Sequence, residues 1–426
     1  MGINSGLIEI LAYLPDNIDA YIALCVLVSG IYFFCIKRIF WDFFDPFIIQ
    51  VAGAIFATST IFFMYYMDLI QDDVYFYDFI YTEVAFWMGF LLVSKKNIKF
   101  CEIRNVKYDA TFDDRKTTIY AVYITLFFLF SIISILQNGV GLAAENHVKA
   151  AATGGVLNIM SHYFLVVVIP FLYDRFYSGH KIESIILGFG IFLILASGGS
   201  KGFALSFATG LFFYRMYRFL HGMEDINYKR IYINLFFLAV TGAISTLLYY
   251  NIYDGFEGAM IQLGQRLVGY GDGFAYAYGA GGIVIQQLIN NNDIFSLIAP
   301  ILSFLKIVPL PDHYDAVGNQ MVNLVYGIAD SSSGPNLRHN IFELLGFGYF
   351  GGGIFAFCMG CLIGGVIRKL IEKVQFNIYC FIFFIGIYTS ACSYLTDPIL
   401  ALEGMLRGLI VNVALLTAIH LFSRIR

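Results

Sequence analysis

Long apolar runs without a charged residue constrain the fold of this chain more than any other feature. Residues 117–144 and 344–367 contain no Asp, Glu, Lys or Arg, and each run exceeds the roughly 20 residues that cross a bilayer as a helix. Only 13% of the 426 residues are charged, about half the share of a typical soluble domain. Since lipid leaves the backbone to satisfy its own polar groups, the sequence predicts an all-α polytopic membrane protein.

Eleven apolar segments are long enough to predict membrane-spanning helices. They lie at residues 20–36, 47–67, 78–94, 117–136, 155–173, 183–198, 202–219, 231–250, 341–367, 377–395 and 406–423. Residues 3–14 predict a short interfacial segment. We find no internal repeat and no appended soluble domain, so residues 1–426 are predicted to form a single integral membrane domain. A net charge of −4 excludes the basic surface that nucleic acid requires.

The distribution of Lys and Arg among the loops predicts the orientation of the chain. Twenty of the 26 basic residues lie in every second loop, seven of them between residues 95 and 116. Because basic residues concentrate on the cytoplasmic side, the N-terminus is predicted outside and the C-terminus inside. Residues 251–340 then form one large extracytoplasmic loop with seven acidic and three basic residues. Within it, stretch 294–309 favours an interfacial or re-entrant helix over a span, and stretch 274–289 is ambiguous.

The sequence contains no pattern typical of a metal or cofactor site. Its histidines lack the spacing of metal ligands, so we predict neither a metal nor a cofactor. The seven cysteines are predicted to be reduced packing residues, including Cys358 and Cys361 within one apolar run. Gly360 and Gly364 in the same run form a GxxxG pattern, which predicts the close approach of two helices.

Basic residues are rare on the predicted outer side, and those few are candidates for binding an anionic substrate. Lys201 follows Ser200 in the Gly-rich turn 198–202, and such a turn exposes backbone N–H groups at the start of the next helix. The alternative is a plain glycine turn whose Lys reaches the interface. Arg266 and Arg338 carry guanidinium groups, which present paired donors to pyrophosphate oxygens. Arg338 could instead anchor a helix end at the interface.

Tyrosines and an acidic residue of the large loop add candidates for sugar binding and proton transfer. Tyr270, Tyr276 and Tyr278 offer flat apolar faces with a polar tip, although tyrosines are also common at membrane interfaces. Asp272 is a candidate general base. The sequence alone does not identify which acid takes a proton, because no pair of acids has diagnostic spacing.

Carboxylates in or beside apolar runs are a further group of candidates, since ionisable residues in lipid are costly and often functional. They are Glu83, Glu183, Glu343 and Glu403. For those near the end of a span, we expect a solvated carboxylate at the interface. Glu343 follows His339 by four residues, so the two side chains are predicted to meet across one helical turn.

Together these features resemble the bacterial oligosaccharide repeat-unit polymerases, the Wzy-type family that builds O-antigen, capsule or exopolysaccharide. The turn GSKG at 199–202 precedes a span, and one large outer loop lies in the C-terminal half. The stretch GPNLRH at 334–339, followed by GFGYFGGG at 346–353, is similar to the segment that returns that loop to the membrane. Family members usually carry Arg in the short outer turn, where this chain has Lys201.

The resemblance implies a membrane-embedded glycosyltransferase of GT-C-like architecture in the bacterial cytoplasmic membrane. Such an enzyme transfers a glycan from polyprenyl pyrophosphate to a sugar hydroxyl of the next lipid-linked repeat unit. Partners implied by the resemblance are the lipid-linked oligosaccharide, the lipid bilayer, a chain-length regulator and a flippase. The implied catalytic residues are Arg266, Arg338, His339 and Asp272, and the implied substrate-binding residues are Lys201, Ser200, Tyr270, Tyr276 and Tyr278.

Three other functions fit the same sequence. An O-antigen-type ligase would share this architecture. A metal-dependent sugar transferase would use acids in the first outer loop, where Asp72 and Asp73 lie. A secondary transporter, which belongs to a different class, would show paired broken helices and charges at mid-depth in the membrane.

Overall fold

All regular structure in the described part of the chain is helical. The computed structural model describes residues 6–37, 39, 42, 44–70, 72–94, 112–138, 155–197, 203–220, 268–279, 282–309, 315–327, 334–374 and 378–425. The helices are α1 (Gly6–Tyr13), α2 (Ile18–Ile36), α3 (Pro46–Tyr66), α4 (Asp73–Ser94), α5 (Phe112–Asn138), α6 (Gly155–Tyr177), α7 (Lys181–Ser197), α8 (Phe203–Leu220), α9 (Asp272–Tyr278), α10 (Ile283–Asn291), α11 (Ile294–Phe304), α12 (Val317–Tyr326), α13 (His339–Val374), α14 (Ile378–Cys392) and α15 (Pro398–Ile425).

Seven helical segments within the described residues are long and apolar enough to cross a membrane. They are Pro15–Ile36, Pro46–Tyr66, Asp73–Ser94, Lys116–Gln137, His339–Ile367, Ile378–Leu395 and Pro398–Leu421. Helices α6, α7 and α8 coincide with three further predicted spans, whereas predicted span 231–250 lies outside the described residues. The prediction of a polytopic α-helical membrane protein is confirmed.

The described part of the large loop forms short helices that do not cross the membrane. Helices α9, α10, α11 and α12 contain 7, 9, 11 and 10 residues, and a 30 Å hydrocarbon core requires about 20. Each helix nevertheless buries apolar side chains, among them Phe274, Leu288, Leu297 and Met321. The loop is therefore folded against the spans, with α9 contacting α1 and α3.

Helix α13 reverses direction at Gly348. This residue has φ 67° and ψ −179°, a backbone region that is essentially restricted to glycine. The ring centroids of Phe347 and Phe355 are 4.1 Å apart, and a Cβ on Gly352 would lie 3.1 Å from the carbonyl oxygen of Glu343. In a straight helix residues 343 and 352 would be about 13 Å apart. Residues 339–347 are thus a short re-entrant segment, so the span predicted at 341–367 starts only after Gly348.

The second arm of this hairpin packs directly on α4 through glycines. A Cβ on Gly360 would lie 2.0 Å from the carbonyl oxygen of Phe86, and one on Gly89 would lie 2.1 Å from that of Phe357. Gly364 similarly approaches the Phe90 backbone. The prediction that the GxxxG pattern permits close helix approach is confirmed.

Candidate functional site

Glu83 is the centre of a buried polar cluster in the middle of α4. It is the eleventh residue of that helix, about 15 Å from its start and half the thickness of a hydrocarbon core. Its Oε1 accepts hydrogen bonds from the Tyr32 hydroxyl at 2.5 Å and from Trp87 Nε1 at 2.9 Å. Its Oε2 lies 3.0 Å from His339 Nε2 and accepts from Asn340 Nδ2 at 3.1 Å. Four side chains among the described residues thus hydrogen-bond this one carboxylate.

His339 joins Glu83 to a second carboxylate, Glu343. The Nδ1 atom of His339 lies 3.3 Å from both carboxylate oxygens of Glu343, and the Tyr394 hydroxyl donates to Glu343 Oε1 at 3.0 Å. Since each ring nitrogen faces a carboxylate, both can donate only when the imidazole is protonated. The predicted meeting of His339 with Glu343 is confirmed.

The expectation of solvated carboxylates is wrong for Glu83 and Glu343, which are 9% and 0% exposed. The reversal at Gly348 causes this burial, because it carries the start of α13 back to mid-depth on α4. Glu183 does have a half-exposed side chain and pairs with Arg175 at 2.8 Å. The expectation is wrong for Glu403 as well, which is 9% exposed and pairs with Arg407 on α15.

Arg338 lies next to this cluster and is only 4% exposed. Its guanidinium donates to the Gly53 carbonyl of α3 at 3.5 Å, and burial lowers its pKa. The start of α9 packs against it, since a Cβ on Gly273 would lie 3.5 Å from Arg338 Cγ and 2.8 Å from the Asn336 carbonyl oxygen. Neighbouring charge comes from Glu83 and from Asp272, both within electrostatic reach.

Asp272 is the titratable group of the site best placed to exchange a proton near neutral pH. Burial raises the pKa of its carboxyl to about 6, while the Gly273 N–H at 2.7 Å and the Arg338 charge act in the opposite direction. A general base is most effective when its pKa lies near the working pH. The structure thus brings Arg338, His339 and Asp272 into one region, although they lie on two separate segments of the loop.

The three predicted tyrosines occupy different environments. Tyr270 is 49% exposed and its ring covers Gly53, the residue whose carbonyl Arg338 binds. The hydroxyl of Tyr276 lies 3.4 Å from that of Tyr326. Tyr278 is fully buried and stacks on Tyr75 at 5.5 Å between ring centroids. Because protein already covers its faces, Tyr278 is not retained as a sugar-binding candidate.

The remaining predicted residues divide into those outside the described residues and those with a local structural role. Ser200, Lys201 and Arg266 lie outside the described residues. The Asp72 carboxylate accepts the Val74 N–H at 3.0 Å, which caps the first turn of α4.

Sequence reasoning missed several polar partners of the cluster. Tyr32, Trp87, Asn340 and Tyr394 all bind one of the two buried carboxylates. Asp78 was also missed: it is 4% exposed, and neither carboxylate oxygen has a hydrogen-bond partner among the described residues. The available signals were an Asp and a Glu within one predicted span and an Asn directly after His339. The two tyrosines had no signal, since this chain contains 30.

Comparison with known proteins adds no assignment. No protein-family model matches the chain, and no curated protein or solved structure is detectably similar to it. The resemblance to repeat-unit polymerases remains a prediction based on the short motifs and the loop arrangement. Function must therefore be argued from the site itself.

Proposed function

We propose that this chain polymerises polyprenyl-pyrophosphate-linked oligosaccharide repeat units on the outer face of the bacterial cytoplasmic membrane. One observation carries the proposal: the start of α9 packs on the Arg338 side chain, which brings the Asp272 carboxyl, with a pKa of about 6, within electrostatic reach of the buried guanidinium. A fixed cation next to a titratable acid supplies the two groups that glycosyl transfer from a pyrophosphate requires.

The proposed reaction assigns one role to each group. The acceptor hydroxyl oxygen bonds to the anomeric carbon of the donor, and its proton moves to Asp272. The bond between that carbon and the pyrophosphate oxygen breaks, and polyprenyl pyrophosphate leaves with the electron pair. Arg338 stabilises the charge that develops on the leaving oxygen. The exposed ring of Tyr270 offers an apolar face to a sugar.

The proposal extends to parts of the chain outside the described residues. Arg266 binds the donor pyrophosphate, and Lys201 and Ser200 contribute to the same anion site. The full architecture is eleven spans in a GT-C-like arrangement, with residues 251–340 outside. A flippase supplies the lipid-linked unit, and a chain-length regulator acts on the product.

Substitution of the two arginines tests the proposal. Purified enzyme is incubated with the lipid-linked repeat unit, and products are resolved as a ladder on a gel. Arg338→Ala and Arg266→Ala should each slow polymer formation by about 10²–10³-fold. The corresponding Lys variants should retain partial activity, because an ammonium group keeps the positive charge but lacks the paired donors of a guanidinium. Arg175→Ala is the matched control, since Arg175 pairs with Glu183 at the connection between α6 and α7, which the loop charges predict to be cytoplasmic. A normal ladder from both Ala variants contradicts the proposal.

The outer-face location has its own test. In a cysteine-free background, a single cysteine at position 332 should react with an impermeant maleimide in intact cells, whereas one at position 105 should not. Reaction at position 105 would reverse the predicted orientation. It would also place residues 251–340 in the cytoplasm, where ATP is available.

A secondary transporter is the second candidate, favoured by the reversal at Gly348 and by Glu83 and Glu343 at mid-depth. Half-helices and buried carboxylates are typical of transporter binding sites. Proteoliposomes containing the protein distinguish the two functions. A labelled lipid-linked repeat unit that becomes covalently longer supports the polymerase, and uptake of labelled sugar without a covalent product supports the transporter.

A further inference from the structure

A second candidate site lies where α6, α14 and α15 meet. A cavity of about 200 Å³ is bounded by α6, α14 and α15, and its polar lining includes His162, Tyr163, Thr389, Ser390 and Arg407. Arg407 is the tenth residue of α15, which places it about 14 Å from the start of that helix. Most of the lining is apolar, so the charged side chain of Arg407 at this depth is what marks the cavity as a candidate functional site.

The charges at this cavity balance, which distinguishes it from the Arg338 region. Arg407 forms an ion pair with Glu403 one turn earlier on α15, and Glu403 is only 9% exposed. Arg338, by contrast, binds a backbone carbonyl. With its charge neutralised by Glu403, Arg407 presents N–H donors beside the hydroxyls of Tyr163, Thr389 and Ser390. Such a lining suits a ligand with hydroxyl groups and no charge.

The size and lining of the cavity match one sugar ring. Its volume equals that of about seven liquid water molecules, which is the scale of a monosaccharide. The ring of Tyr163 and the side chains of Met160 and Val166 provide apolar surface, suited to the C–H face of a sugar. Glycine keeps the space open, because a Cβ on Gly404 would lie 2.7 Å from Ser390 Oγ.

The position of the cavity links it to both the large loop and the candidate active site. Phe304 of α11 lies 5.1 Å from the Arg407 guanidinium, so a loop helix reaches the cavity wall. Ser390 precedes Tyr394 by four residues, and the Tyr394 hydroxyl donates to Glu343 at 3.0 Å. The end of α14 therefore connects the cavity to Tyr394, which binds Glu343 of the buried cluster.

We propose that the cavity beside the Arg407–Glu403 pair binds the acceptor sugar. This inference rests on the proposed function, because a polymerase must hold two lipid-linked glycans at once. The Arg338 region binds the donor at its pyrophosphate, and the neutral cavity binds the acceptor through its hydroxyls. Because the two sites differ in charge, the charged donor and the uncharged acceptor sugar do not occupy each other's site.

The test measures donor and acceptor kinetics separately. The acceptor probe is the repeat-unit oligosaccharide as a short alkyl glycoside without pyrophosphate, and the donor is the polyprenyl-pyrophosphate-linked repeat unit. The double variant Glu403→Gln/Arg407→Gln exchanges the ion pair for an amide pair, which avoids an unpaired buried charge. Its acceptor KM should rise about ten- to a hundredfold, with the donor KM unchanged. Ser390→Leu, which fills the cavity and leaves the pair intact, should give the same pattern.

The control is the double variant Arg175→Gln/Glu183→Gln, which exchanges the other Arg–Glu pair in the same way and should leave both KM values unchanged. An unchanged acceptor KM in both cavity variants, together with normal polymer formation, overturns the acceptor site and leaves the proposed function standing. Absence of any glycosidic product from the wild-type enzyme overturns the proposed function itself.

Discussion

Removal of the imidazole between Glu83 and Glu343 should be one of the most damaging single changes in the membrane interior. His339→Ala deletes the contacts at 3.0 Å and 3.3 Å and leaves two carboxylates that are 9% and 0% exposed. Loss of one partner of a buried ion pair costs about 3–5 kcal/mol. At about 1.4 kcal/mol per tenfold change, this corresponds to a factor of about 10²–10³ or more in the unfolding equilibrium.

A double-mutant cycle isolates the contribution of the pair. Glu83→Gln retains an oxygen that can accept from Tyr32 and Trp87, and it removes the negative charge that faces His339. The double variant Glu83→Gln/His339→Ala should be less destabilised than the sum of the single variants, by about 1–3 kcal/mol. Equilibrium unfolding in mixed micelles, followed by far-UV circular dichroism, gives the three values.

A surface histidine provides the control for this cycle. His180 is exposed and lies 3.7 Å from Glu183, so His180→Ala should change the free energy of unfolding by less than about 0.5 kcal/mol. Additivity of Glu83→Gln and His339→Ala within about 0.5 kcal/mol would refute the argument, since it would mean that the imidazole and the carboxylate do not stabilise each other.

Three further predictions follow from the packing and the buried acids. Burial raises the pKa of Asp272 from near 3.8 to about 6, so its ionisation opposes folding: stability should fall as pH rises from 4 to above 6. Asp272→Asn should remove that loss, gaining up to roughly 3 kcal/mol at pH 7.5 and nothing at pH 4, in denaturation series at both pH values. Gly360→Ala should destabilise the α4–α13 contact by several kcal/mol, on the order of an overpacked core, whereas Gly30→Ala, with nothing within 4 Å, should be neutral or stabilising in the same assay. Asp78→Asn should not destabilise the protein, because neither carboxylate oxygen has a partner among the described residues; a loss above about 2 kcal/mol would show that a bound group satisfies Asp78.

Hydropathy was sufficient to predict most helices, because the length and composition of a membrane-spanning helix depend mainly on the lipid around it. Each apolar run must exceed the bilayer thickness regardless of its neighbours, and so α2, α3, α4, α5 and the later spans were found without tertiary information. The close helix contact at the GxxxG pattern could also be predicted, since small side chains permit close approach to any neighbouring helix. The contact of His339 with Glu343 followed from helical periodicity alone.

The depth of the buried carboxylate cluster in the membrane could not be predicted from sequence, because this depth depends on where the chain reverses direction. An uncharged stretch at 344–367 predicts one continuous span, and a single glycine at 348 changes the path without changing the hydropathy. That reversal buries Glu343 and His339 beside Glu83, which is 256 residues away from His339 in the chain.

Sequence by itself therefore determined that this chain is a helical membrane protein and which residues are candidates for chemistry, and it predicted Arg338, His339 and Asp272 within one loop. Tertiary structure decided which of these candidates meet. Arg338 and Asp272 are brought together by the packing of Gly273 against residues 336–338, and Tyr278 is removed from the site by its stacking on Tyr75. Local patterns report the environment that a segment requires, whereas contacts between distant segments depend on the shape of every surface packed between them.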